Sequence, residues 1–195
     1  FSWLIIGKRV HFSGQRAPCK PQMADKHLIL VRHAKSSWAD PQLPDHDRPL
    51  NARGVRNAPV MGARVQALGI RVEGLITSSA LRARTTAEHF LDTQDQPPAE
   101  FRVEPDLYHA DVATWLAFME SLPDIWNSVM AFGHNPGLTE LAADVWDLPV
   151  TNVPTCGVLW LTFSEPTWKK AAARQPRTAL FDYPKNPSNH PEALR

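Results

Sequence analysis

The chain has 195 residues, 43% of them hydrophobic and 21% charged, enough for one globular domain with a sizeable core. Its net charge is +1, yet Lys8, Arg9, Arg16 and Lys20 fall in the first 22 residues without an acid, so the remainder carries −3, which argues against nucleic acid as a partner. Two cysteines, Cys19 and Cys156, exclude a disulfide framework, and no run approaches the ~20 apolar residues of a membrane span, so no membrane partner is expected and the expected location is cytoplasmic.

Residues 1–22 read as a leader foreign to the domain, an expression remnant or an upstream segment. The apolar run over 1–6 is too short for a signal-peptide core, and Met23 stands as a plausible start just before the first strand. The domain is expected over 23–183. Leu28, Ile29, Leu30 and Val31 have the composition of a buried parallel strand, which the pattern places over 28–32. A loop rich in Pro and Asp follows over 40–49. A helix is predicted over 52–68, capped by Asn51 and stopped by Gly69, with Val55, Met61, Val65 and Leu68 at near-helical spacing and Pro59 marking a kink or a later start. Then come a strand over 75–77, a helix over 81–91 and a short strand over 101–103. The helix over 112–122 carries Trp115, Phe118, Met119 and Leu122 on one face. A strand over 129–132 and a helix over 138–145 lead to a longer strand over 156–163, in which Cys156 reads as a small buried residue. A strand over 179–181 closes the sheet, and the Pro-rich segment 184–195 reads as a flexible tail. This alternation predicts a three-layer α/β fold, a mainly parallel sheet with helices on both faces.

In open α/β sheets, ligands bind just outside the carboxyl ends of the strands. Three predicted strand ends carry polar chemistry here: Arg32-His33-Ala34, the run from Ser78 through Arg82, and Gly133-His134-Asn135. Arginine offers a rigid fork of donors that suits phosphate. Histidine offers a nucleophilic nitrogen that is neutral near pH 7. Together they point to a covalent phosphohistidine intermediate.

On these residues the chain resembles the histidine phosphatase superfamily, which includes phosphoglycerate mutases and many phosphatases. The Arg-His-Gly signature appears as Arg32-His33-Ala34, where the backbone must accommodate a Cβ. The Ser-x-x-x-Arg-Ala-x-x-Thr-Ala signature appears from Ser78 through Arg82-Ala83 to Thr86-Ala87, and the second histidine is His134. The segment from Asp45 through Arg48-Pro49-Leu50 to Gly54 resembles the Asp-x-x-Arg-Pro-Leu-x-x-x-Gly stretch of SixA-type phosphohistidine phosphatases. The resemblance covers roughly 26–183 and implies a phosphoglycerate mutase-like fold, with Asp45 at an acidic position and Arg48 as a third phosphate ligand. Many family members carry an acid after the third strand. The region here holds Glu104, Asp106 and His109, none of which aligns to that role, and SixA-type members lack a clear equivalent.

His33 is the expected nucleophile, Arg32 and Arg82 the clamp on the phosphoryl oxygens, and His134 a donor to them, cationic beside a dianion. The blander alternatives are surface salt bridges for the arginines and helix capping for His134. Arg84 is expected to face away, Ser36 and Ser37 to cap a helix, and His27, His46, His89 and His190 to be structural or solvated. No metal and no cofactor are expected, since neither a Cys/His cluster nor a Gly-rich nucleotide loop is present. Three functions remain in view: a phosphatase acting on phosphohistidine in a protein, a phosphatase of small phosphomonoesters or sugar phosphates, and a phospho-ligand binding module without turnover. The full set Arg32, His33, Arg82 and His134 argues against the third. The short connection over 101–112 leaves no room for a covering insert, which favours a bulky substrate and the first. The chain is expected to be a monomer.

Overall fold

β1 (Lys26–Arg32) is the axis of the molecule. Its side chains alternate, with Leu28 and Leu30 entering one hydrophobic core and Ile29 and Val31 the other. The structure, a computed structural model, describes residues 25–188 and 190–194; the expected leader and the start at Met23 lie outside them. The elements that follow are α1 (Ala52–Gln66), β2 (Gly74–Ser78), α2 (Leu81–Leu91), β3 (Glu100–Glu104), α3 (Val112–Ser121), β4 (Ser128–Gly133), α4 (Gly137–Glu140), β5 (Val158–Phe163), α5 (Trp168–Ala172), β6 (Thr178–Asp182) and β7 (Glu192–Ala193).

The sheet order is β3-β2-β4-β1-β5-β6-β7. Strands β3, β2, β4 and β1 are mutually parallel; β5 runs antiparallel to β1, β6 returns to the direction of β1, and β7 opposes β6. The sheet is therefore mixed and mainly parallel. Helices α1 and α2 pack their Ala58, Met61, Val65, Ala87 and Phe90 on one face. Helices α3, α4 and α5 pack Trp115, Phe118, Leu138 and Trp168 on the other. Among the described residues no helix is long and apolar enough to cross a membrane.

The structure departs from the sequence pattern in three places. Val55 is 47% exposed, because the buried stripe of α1 runs instead through Gly54, Ala58, Met61 and Val65. The helix expected over 138–145 is four residues of α4 followed by a wider π turn over Leu141–Val145, closed by Trp146 N donating to Leu141 O at 3.3 Å. Cys156 precedes β5 in a turn with φ of 63°, and its N–H donates to the carbonyls of Arg32 (3.0 Å) and His33 (3.1 Å). After Tyr183 the described residues keep contact with the sheet. Buried Asn186 donates to Asp182 Oδ1 (3.1 Å) and His190 O (2.8 Å), and the fold-back lets β7 pair with β6. Composition signals such as Pro content do not report this kind of side-chain-to-backbone tie.

Asn51 caps α1 as expected, accepting from Gly54 N at 2.9 Å. Gly54 itself is the close approach between α1 and the chain leaving β1: a Cβ there would stand 2.3 Å from Lys35 O, which also accepts from Asn51 N at 2.9 Å. Gly54→Ala should therefore lower unfolding free energy by ~1–3 kcal/mol in a denaturant titration, even though alanine favours an exposed helix by about 1 kcal/mol. An unchanged or higher stability would show that this contact can relax freely.

Candidate active site

The register of the parallel strands assembles the site. Arg32 of β1 pairs with Gly133 of β4, so His33 and His134 leave adjacent strands at the same level. His33 N donates to Gly133 O at 3.0 Å, and the two imidazole centroids are 4.9 Å apart. On the other side of β4, β2 ends at Ser78, whose Oγ is 2.8 Å from His134 Nε2. Arg82, buried in the first turn of α2, donates through Nε to His33 Nε2 (3.3 Å) and reaches His134 Nδ1 with Nη2 (3.4 Å). One turn on, the Thr86 hydroxyl donates to Arg82 O (2.6 Å) and accepts from Ala34 N (3.0 Å), tying α2 to the residue after His33. The Ala34 methyl is accommodated in the core beside α1 and α2.

The hydrogen bonds assign the protons. His33 Nδ1 lies 2.7 Å from Ala34 O, which can only accept, so Nδ1 carries the hydrogen and Nε2 keeps its lone pair. Burial pushes the His33 pKa down to about 3, against the help of Ala34 O and with the help of the Arg82 and Arg32 charges. His134 is pushed to about 2, by burial first and then by His33, Arg82 and His109. His134 is thus neutral in this arrangement, where no dianion stands beside it. Its Nδ1 accepts from Arg82 and its Nε2–H donates to Ser78 Oγ.

Around these groups lies a cleft of about 210 Å³, lined by the cations Arg32, Lys35, Arg48 and Arg82 and by one carboxylate, Asp45. On a body of nearly balanced charge this concentrates positive potential where a phosphate would enter. Arg32 donates to Val153 O at 2.8 Å, and its Nε is buried without a partner among the described residues. Arg48 is buried, unlike an ordinary loop arginine. Its nitrogens donate to Ser37 O (2.9 Å), Asp45 Oδ1 (3.0 Å) and Ser36 Oγ (3.0 Å), and its guanidinium lies 3.2 Å from the Trp38 ring centroid. Arg82 Nη2 meets Asp45 Oδ2 at 2.8 Å, and Arg82 Nη1 donates to Asp45 O.

The structure thus brings Arg32, His33, Arg48, Arg82 and His134 around one cleft. Of the three residues considered after the third strand, only His109 lines it, 3.4 Å from Asp45 Oδ2; Glu104 pairs with Arg102 and Asp106 is exposed elsewhere. Ser36 does not cap a helix but accepts from Arg48, and Arg84 is exposed as expected. His46 is tied to Ser79 Oγ at 3.0 Å. The sequence pattern did not disclose the bridging of Asp45, the tether through Thr86, the place of Trp38 in the cleft lining or the Tyr108 hydroxyl on Asp45; the Asp-x-x-Arg spacing was the one signal for the first. Among the described residues no group of three or more His, Cys, Asp or Glu could hold a metal ion.

Residues 28–126 match the family model of the histidine phosphatase superfamily, branch 1, and the chain belongs to that family. It is 31% identical over 157 residues to an uncharacterized chloroplastic protein of Arabidopsis thaliana, covering 76% of this chain and 71% of that one. A solved structure from Agrobacterium tumefaciens, assigned as the phosphohistidine phosphatase SixA, aligns with a TM-score of 0.60 and 26% identity over 70% of this chain and 90% of that one. A phosphoglycerate mutase from Bacillus anthracis shares the fold, with a TM-score of 0.55 at 12% identity over 78% and 99% of the two chains.

The depressed histidines have a measurable signature. Unfolded histidine titrates near 6.5, so the folded chain, which resists protonation at His33 and His134, is at full stability above that pH and loses it progressively as pH falls towards about 3. In an NMR titration of imidazole-labelled, unliganded protein, both rings should stay neutral through pH 5. A midpoint near 6.5 for either would show that burial does not govern them.

Proposed function

We propose that the protein is a metal-independent phosphatase that removes the phosphoryl group from phosphohistidine on a protein. The observation that carries this reading is the fixed orientation of His33: Nδ1–H is pinned to Ala34 O while Nε2 holds a lone pair at the floor of a cationic cleft. Nε2 attacks phosphorus in line, and the substrate P–N bond breaks with its electron pair on the departing imidazole. Water then attacks the phosphoryl group on His33, the P–Nε2 bond breaks, and phosphate leaves. Arg82, which donates to Nε2, moves its hydrogen bond to a phosphoryl oxygen; Arg32, whose Nε has no partner among the described residues, and Arg48 add further donors. The dianion reverses the balance that keeps His134 neutral, so that His134 takes up a proton and donates to the same group.

Two features support a protein substrate. Only residues 105–111 connect β3 to α3; of them His109 lines the cleft, and the connection is too short to carry a covering domain. The structural neighbour assigned as SixA carries the same substrate class in its name.

The test is a rapid, acid-free quench with labelled phosphohistidine protein, followed by mapping. Label should appear on His33, and His33→Ala should lose both label and turnover; label elsewhere, or an active His33→Ala protein, overturns the mechanism. Rates on phosphohistidine protein should exceed those on a panel of small phosphate esters. Arg82→Ala should cost roughly 10²–10³ in kcat. Activity should survive EDTA; a loss restored by magnesium or zinc would require a metal step.

A further inference from the structure

We propose that Asp45 determines leaving-group specificity: at the mouth of the cleft it accepts the remote N–H of a phosphorylated imidazole ring, selecting a nitrogen leaving group over an alkoxide. This rests on His33 as phosphoryl acceptor and names what the same site prefers to cleave.

The geometry of the carboxylate carries the inference. Oδ2 is saturated: Arg82 Nη2 lies at 2.8 Å, the Tyr108 hydroxyl at 2.9 Å and His109 Nε2 at 3.4 Å. Among the described residues Oδ1 has a single donor, Arg48 Nη1 at 3.0 Å. A carboxylate oxygen accepts two hydrogen bonds, so Oδ1 has one acceptor position open. The side chain is 43% exposed and lines the cleft, within reach of an entering substrate.

The same contacts fix its ionisation. Burial works to raise the Asp45 pKa, but hydrogen bonds from Tyr108 and Arg82 and the charges of Arg82 and Arg48 outweigh it and hold the carboxyl well below the usual carboxylate range. Asp45 is therefore an acceptor and not a proton donor. Glu104 and Asp106, the other carboxylates considered for that task, lie off the cleft. An alkoxide leaving from a serine or sugar phosphate needs a proton that no carboxylic acid here supplies. A phosphorylated imidazole needs none. With its remote nitrogen protonated, the P–N bond breaks, the electron pair stays on the ring nitrogen, and the ring leaves as neutral imidazole. Asp45 Oδ1 stabilises that protonated ring in the bound state.

The experiment compares kcat/KM for phosphoimidazole and for p-nitrophenyl phosphate, whose leaving group needs no acid, in wild type and Asp45→Asn. Losing the support of Arg82 and Arg48 lowers both rates together, so the ratio is the readout. We expect the phosphoimidazole-to-ester ratio to fall tenfold or more. An unchanged ratio overturns the proposal and leaves Asp45 as a positioning residue for Arg82. Should the variant not fold, the wild-type pH profile decides: the descending limb of kcat on phosphoimidazole should lie at least one pH unit above the pKa of the free substrate. A limb at the free substrate's own pKa overturns the proposal. Failure of the underlying mechanism shows separately, as absence of label on His33 in the wild-type protein.

Discussion

The site depends on one buried guanidinium. Arg82 sits in the first turn of α2 with almost no exposure, and its nitrogens meet His33, His134 and both the carbonyl and the carboxylate of Asp45. A buried cation demands partners, and two neutral imidazoles and one anion supply them. The same cation helps to keep both rings unprotonated, since each would otherwise add positive charge within hydrogen-bond distance. The available lone pair on His33 Nε2 and the ionised state of Asp45 are therefore two consequences of one placement.

That placement follows from strand register. Three neighbouring parallel strands end at the same level, and each delivers a side chain: Arg32 and His33 from β1, His134 from β4, Ser78 from β2. The helix that β2 feeds brings Arg82 back over them. Thr86 and Gly54 are the quieter part of this design. One hydroxyl fastens α2 to Ala34, and one missing methyl lets α1 lie against Lys35 O. Neither touches the reacting atoms, yet both set where the strand ends can sit.

Much of this was legible in the linear sequence because it is local. Continuous apolar runs that stop at polar residues mark buried strands and their exits, and the bounds of α2 coincide with those read from its pattern. What was not legible is what depends on long-range pairing. The antiparallel insertion of β5 beside β1 has no signature in either strand. Val55 fits a helical apolar spacing but faces outward, because the small residues Gly54 and Ala58 define the contact stripe. The ionisation of His134 could not be inferred from a Gly-His turn, since it depends on burial beside a histidine 101 positions earlier and an arginine 52 earlier. The hydrogen bonds of Asn186 to Asp182 and His190 are equally invisible in the composition of the Pro-rich C-terminal segment.

Cys156 lends the site a chemical resilience. Its backbone N–H braces the carbonyls of Arg32 and His33 from behind, while burial pushes its thiol up to about 12. At neutral pH the group is therefore held as the thiol. Peroxide and electrophiles act on thiolates, and they find almost none at this position. Phosphatases that rely on a cysteine nucleophile are silenced when that sulfur is oxidised. On the function proposed above, the reacting group of this cleft is an imidazole backed by a sulfur held as thiol, so the oxidation that silences those enzymes has no counterpart at this position.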